Sequence, residues 1–185
     1  DVALDFHEYR PFRRDYAQLS DWGVTAVNDV MFLYSGNLNV PEALRKYTQE
    51  KFVNTAKLAM DKNGYVHHDY YSSDQILGEI QLNEGSVNSR SSATSYALTN
   101  CISTLIEVRG VGLNRTSFKR RTHITFEIAM SYLTTANSNP DEVFSVIAAA
   151  RKSNSHEAVV KSTRQQGGQS VQFIDVSTKE LVSID

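Results

Sequence analysis

Residues 99–113 constrain this chain more than any other stretch. There an apolar, β-branched run ends abruptly in Glu107, Arg109 and Gly110. Such a run reads as a strand covered on both faces. Open α/β sheets build their sites at the carboxyl ends of strands, which makes Glu107 a candidate site carboxylate. The same residues also allow a plainer reading, in which Glu107 pairs with Arg109 at a strand end.

The rest of the chain supplies alternating elements. Residues 2–6 read as a strand ending at His7-Glu8-Tyr9-Arg10, and Pro11 halts its ladder because proline cannot donate a backbone hydrogen bond. Residues 24–34 are a second apolar run, a strand or a strand with a turn. Pro41 opens a long helix with Leu44, Tyr47, Phe52, Thr55 and Ala59 on one face, and Gly64 stops it. Residues 64–95 form a long polar and aromatic connection, of a length that usually carries function. Thr116 can cap a helix to about residue 135, with Phe118, Ile124, Ile128 and Leu133 buried, and residues 141–152 form another amphipathic helix. Residues 156–164 are weaker helix, residues 165–168 a turn, and the alternation of Val171, Phe173 and Asp175 with Leu181 and Ile184 suggests a hairpin. Strands alternating with helices predict an α/β fold with a mixed, mostly parallel sheet flanked by helices.

At 185 residues the chain suits one domain or the larger part of one. A formal charge of −2 gives no electrostatic case for nucleic acid, and the basic stretch at residues 115–121 is local. The lone cysteine, Cys101, excludes an internal disulfide and suits a small buried residue better than a nucleophile. No segment has the apolar length of a membrane span. The chain opens directly as a strand without an initiator methionine, which reads as a start whose preceding residues are missing.

His7 and Glu107 both stand at strand ends, where an open sheet presents groups to a crevice. A neutral imidazole can ligate zinc, and a nearby carboxylate can take the proton of zinc-bound water. The segment Leu4-Asp5-Phe6-His7-Glu8-Tyr9 resembles the third metal-ligand segment of the zinc metallocarboxypeptidases of the carboxypeptidase A type. Leu105-Ile106-Glu107-Val108-Arg109-Gly110 resembles their catalytic-glutamate segment in its bacterial form, as do Gly112, Arg115, Thr116, Ser117, Phe118, Arg120 and Arg121 after it. The resemblance covers roughly residues 1–136 and points to the C-terminal half of such a catalytic domain. It implies residues 1–152 as the C-terminal portion of that domain, with residues 153–185 a C-terminal helix and β extension.

The resemblance also implies roles. His7 is then one of three ligands to a single zinc ion, and Glu107 the general base that activates water and protonates the leaving amine. Tyr70 and Tyr96 are candidates for substrate contact from the segment before the central strand, and Arg90 is a further candidate. Tyr96 also suits packing against the sheet, and Arg90 a solvated loop. Glu8 can orient a ligand or face solvent. His67 and His68 suit an exposed or loop-packing role. No His-x-x-Glu pair supplies the remaining zinc ligands within this sequence. The implied protein is a zinc-dependent carboxypeptidase-like hydrolase of a C-terminal peptide or amide bond, inactive as this fragment, and partnered by the missing N-terminal half of its domain. The implied compartment is secreted or periplasmic, by analogy with bacterial relatives. The alternative is a non-catalytic binding or scaffolding domain that keeps the fold without zinc.

Overall fold

The computed structural model describes residues 1–153, 157–163, 167 and 170–184. Its centre is a four-stranded sheet in the order β1 (Val2–Tyr9), β7 (Ile102–Arg109), β3 (Val30–Tyr34), β4 (His67–Asp69). β1 runs parallel to β7 and β4 parallel to β3, while β3 and β7 are antiparallel. The sheet is therefore mixed with two of its three pairs parallel, as the strand-helix alternation predicts. β7 is central because its side chains suit both faces: Ile102 through Ile106 and Val108 are all buried. On one face Ile102, Ile106 and Val108 join Val30 and Phe32 of β3 in the main core.

Helices cover that face. α1 (Glu42–Tyr47) and α2 (Asn54–Lys62) are joined by a π-helical stretch (Thr48–Val53), and Pro41 precedes the first turn as expected. The π stretch inserts a residue into the helical phase. Burial consequently passes from the expected Thr55 and Ala59 to Ala56 and Met60, both fully buried, while Thr55 is exposed. α4 (Phe118–Ser138) lays Ile124, Ile128 and Tyr132 on the core, and the Tyr132 hydroxyl donates to Thr104 Oγ1 at 2.9 Å. Phe118 and Leu133, expected inside, are exposed because they fall outside this four-residue stripe. Ser117, in the left-handed region at φ 61°, takes the capping position expected of Thr116, without a side-chain cap bond. α5 (Pro140–Lys152) completes this layer, one residue longer than predicted.

The long connection expected over residues 64–95 is ordered structure. It contains β4, the hairpin β5 (Tyr71–Ile76) and β6 (Glu79–Glu84), and helix α3 (Ser92–Leu98). The hairpin hides from a sequence reading for two reasons. Only Tyr71 and Ser73 are buried in β5, leaving no apolar alternation. Its two-residue turn, Leu77-Gly78, has both residues at positive φ, as a type I′ turn requires, yet the first is a fully exposed leucine rather than Asn or Asp.

The C-terminal hairpin forms as predicted from β8 (Val171–Asp175) and β9 (Leu181–Ile184). β8 also pairs with β2 (Val24–Ala26), so Phe173 enters a second core, 5.2 Å from Tyr16 and 6.0 Å from Tyr71 between ring centroids. Residues 157–163 are exposed and carry no helix, correcting the weaker helix expected there. Their composition offers too little apolar surface for a packed face. The remainder of that segment, and most of the turn expected at residues 165–168, lie outside the described residues. Among the described residues no helix is long and apolar enough to cross a membrane.

Candidate active site

The side of the central sheet away from the main core is polar at its carboxyl end. Successive strand residues point to opposite faces, so Asp5 and His7 of β1 share the face of Glu107 on β7. Parallel register places His7 directly beside Glu107, although the two are one hundred positions apart in sequence. The Glu107 side chain lines a cavity there, while that of His7 is about half exposed beside it.

Asp5 and His7 form a pair, with imidazole Nε2 3.1 Å from Asp5 Oδ2. Ser92, at the start of α3, donates its hydroxyl to the same Asp5 oxygen at 2.6 Å. Asp5 is thus held from behind and fixes the ring of His7, leaving Nδ1 as the ring nitrogen free for other chemistry. Burial pushes the Glu107 carboxyl above its ordinary range; His7 works against that shift and the Asp5 charge adds to it. The Tyr70 phenol is pushed up first by its own burial and then by the Glu107 charge.

Glu107 forms no ion pair with Arg109. The Arg109 guanidinium donates to the Ala26 carbonyl at 2.7 Å, and its backbone N–H to the Asp29 carbonyl at 2.9 Å. This removes the strand-end ion pair as the explanation of Glu107. The arginines that follow are structural: Arg120 pairs with Asp29 and Arg121 with Glu8, each at 2.8 Å. A Cβ at Gly110 would meet the Glu8 carboxylate that Arg121 holds, so a larger residue there would displace that side chain from its pair.

Glu107 opens onto a cavity of about 470 Å³, whose wall includes Tyr70, Met31, Arg10, Arg13 and Arg14. Of the substrate-contact candidates, Tyr70 lines this cavity. Tyr96 is half exposed on α3 and Arg90 exposed in the preceding loop; neither belongs to the cavity wall. His67 bonds Asp61 and His68 the Asp69 carbonyl on edge strand β4. Cys101 is buried, with its thiol pushed up by that burial.

Sequence reasoning missed Asp5, Ser92 and the three arginines. Asp5 had a readable signal, since a residue two before His7 must share its face. The Arg10-Pro-Phe-Arg-Arg segment also had one, as a basic cluster directly after a strand's carboxyl end. Ser92 had none.

For a metal ion, the described residues include no group of three or more His, Cys, Asp or Glu side chains suitably gathered. His7, oriented by Asp5, fits a single imidazole ligand; the described residues do not complete a ligand set.

Comparison with curated proteins finds carboxypeptidase 2 of Trichophyton rubrum, 27% identical over 162 residues, which covers 86% of this chain and 30% of that protein. Carboxypeptidase 2 of Trichophyton equinum is 27% identical over 170 residues, covering 88% of this chain and 30% of the relative. The chain therefore spans about 30% of the length of these relatives. No family model matches, and no solved structure matches significantly. The relationship extends across nearly the whole chain at low identity: this is a distant homologue of the fungal carboxypeptidases 2, corresponding to part of those proteins.

Proposed function

We propose that the protein is a zinc-dependent, carboxypeptidase-like hydrolase of a C-terminal peptide or amide bond, with Glu107 as general base and His7 as one ligand to a single zinc ion. The observation that carries this reading is the in-register placement of His7 and Glu107 on one face at the carboxyl ends of adjacent parallel strands, with Glu107 opening onto the cavity. The relatedness to carboxypeptidases 2 supports it. The remaining ligands come, on this reading, from sequence beyond residues 1–185, so the fragment alone is inactive.

Bound zinc would polarise the scissile carbonyl and acidify water. Glu107 then takes the proton of the attacking water and delivers it to the leaving amine. Its raised carboxyl pKa suits both directions of transfer better than an ordinary surface carboxylate does. Asp5, backed by Ser92, keeps the His7 ring in one orientation. Tyr70 lines the cavity beside Glu107, while Arg90 and Tyr96 stand outside its wall. The proposed compartment is secreted or periplasmic.

A second reading has a specific observation behind it. The lack of a three-ligand cluster among the described residues favours a binding or scaffolding domain that keeps the fold without zinc. Glu107→Gln, introduced into the protein with its flanking sequence, separates the two. On a blocked dipeptide with a free carboxyl terminus, the hydrolase reading expects turnover to fall by about 10²–10⁴-fold with zinc content unchanged. Undiminished turnover in Glu107→Gln, or no turnover and no zinc in the parent protein, overturns it.

A further inference from the structure

The apolar wall of the cavity beside Glu107 is also the outside of the second core. Tyr16, Met31 and Tyr71 line the cavity and at the same time pack in the cluster that Val171 and Phe173 of β8 complete. Phe173 is fully buried there, with its ring edge-on to Tyr16 at 5.2 Å and to Tyr71 at 6.0 Å. Both tyrosines are themselves only 4% exposed. Phe173 touches these two lining residues without lining the cavity itself, so it stands behind them. A ring from the far end of the chain therefore backs the aromatic part of the wall.

The hairpin that brings Phe173 is fixed to the wall at several points. β8 pairs with β2 so that Phe173 lies opposite Ala26, whose small side chain leaves room for the ring. The Gly23 carbonyl accepts the Val176 N–H at 3.0 Å and the Ser20 hydroxyl at 2.9 Å. Gly23 sits at φ 84°, and a Cβ there would come within 2.7 Å of the Ala17 Cα. The chain thus closes tightly against the short helix Asp15–Gln18 that carries Tyr16. Asp175 accepts the N–H groups of Ser177 and Thr178 at 2.8 and 2.9 Å, which holds the hairpin turn. On the other tyrosine, the Asn28 amide donates to the Tyr71 hydroxyl at 3.2 Å. Rings packed in this way have no free volume to move into. A smaller residue at position 173 would supply it, and neighbouring side chains relax part of the way into such a gap.

We propose that Phe173 is a positioning residue of the candidate site: through it the C-terminal hairpin fixes Tyr16 and Tyr71 in the wall and sets how large a group the cavity beside Glu107 accepts. The position of the wall stands on packing alone, whereas its effect on turnover rests on the hydrolase reading. β8 and β9 thereby act on a site whose other parts all lie earlier in the chain.

Phe173→Leu is compared with Phe52→Leu in the protein with its flanking sequence. Phe52 is equally buried but belongs to the main core and lines no part of the cavity. Phe173→Met, which fills more of the space without a ring, replaces Phe173→Leu if circular dichroism shows the latter to be unfolded. Nitration of tyrosines by tetranitromethane, mapped by mass spectrometry, reads the wall without any ligand. Tyr16 and Tyr71 should react several-fold faster in Phe173→Leu and at the parental rate in Phe52→Leu. A parental rate in the Phe173 variant, or an equal rise in Phe52→Leu, overturns the positioning role. Calorimetric binding of acetyl-Phe-Ala, acetyl-Phe-Phe and acetyl-Phe-Trp reads the cavity itself. The preference for Trp over Ala should rise about 10-fold in Phe173→Leu and stay unchanged in Phe52→Leu. An unshifted preference, or no binding of any peptide by the parent, overturns the claim on size. Hydrolysis of the same peptides tells the two ideas apart. Turnover with an unshifted preference removes the positioning role alone, and a shifted preference without turnover removes the hydrolase reading alone.

Discussion

The two faces of the central sheet are made from alternate residues of the same strands, and they behave as different materials. One face presents Val30, Phe32, Ile102, Ile106 and Val108, all at 2% exposure or less, to α2 and α4. Each such side chain contributes roughly 1.5–3 kcal/mol by leaving water. The other face carries Asp5, His7 and Glu107 at its carboxyl end, over Met31 and Leu33. There burial does the opposite: it raises the energy of the Glu107 carboxylate. The apolar face supplies stability, and part of it is spent holding a half-buried acid beside a histidine. The ionisable side chains of the strand ends therefore collect on one face because the other is reserved for packing.

Substitutions on either side test this division. The largest effect on stability is expected from Phe32→Ala, which empties a fully buried site between the sheet and the helices. About 3–5 kcal/mol should be lost in denaturant unfolding. A loss below 1 kcal/mol would mean that the face is not close-packed. Asp5→Asn tests the polar face without touching the core. It removes the charge that fixes the His7 ring, and zinc affinity or turnover should fall about 10–100-fold while thermal stability changes little. A stability loss as large as that of Phe32→Ala would make Asp5 a packing residue instead.

The smallest effect has the most telling sign. Because the folded state raises the Glu107 pKa, it binds this proton more tightly than the unfolded chain does. Stability from this group is present while the carboxyl is protonated and is lost as pH rises through the unfolded and then the folded value. Glu107→Gln should therefore be more stable than the parent near neutral pH, by roughly 0.5–2 kcal/mol in denaturant unfolding, with the gap closing in acid. A neutral or destabilised Glu107→Gln would show that the carboxylate is well solvated and that the two faces differ less than proposed.

How much of this was legible depended on whether a residue's environment is set by its neighbours in sequence. β7 was readable because a strand covered on both faces must be apolar throughout, and Glu107 stood out at its end. The C-terminal hairpin was readable because Val171, Phe173 and Asp175 alternate. The β5–β6 hairpin was not, since an exposed ribbon needs no apolar period and its turn begins with Leu77. The faces of α2 and α4 were misread where a π-helical stretch shifted the phase, or where Phe118 and Leu133 fell outside the buried stripe.

The site divides the same way. Strand-end positions marked His7 and Glu107 as candidates, and the resemblance of their segments to zinc metallocarboxypeptidases singled them out. That they stand side by side on one face followed only from the parallel register of β1 on β7, a pairing of segments one hundred positions apart. The backing of His7 by Asp5 and Ser92, the release of Glu107 from Arg109, and the delivery of Arg10 and Arg14 to the cavity were likewise decided by tertiary structure. The physical reason is common to all of them. Periodicity and propensity are local and are written residue by residue, whereas strand register and the partners of a charge arise between distant segments once the core has fixed their positions.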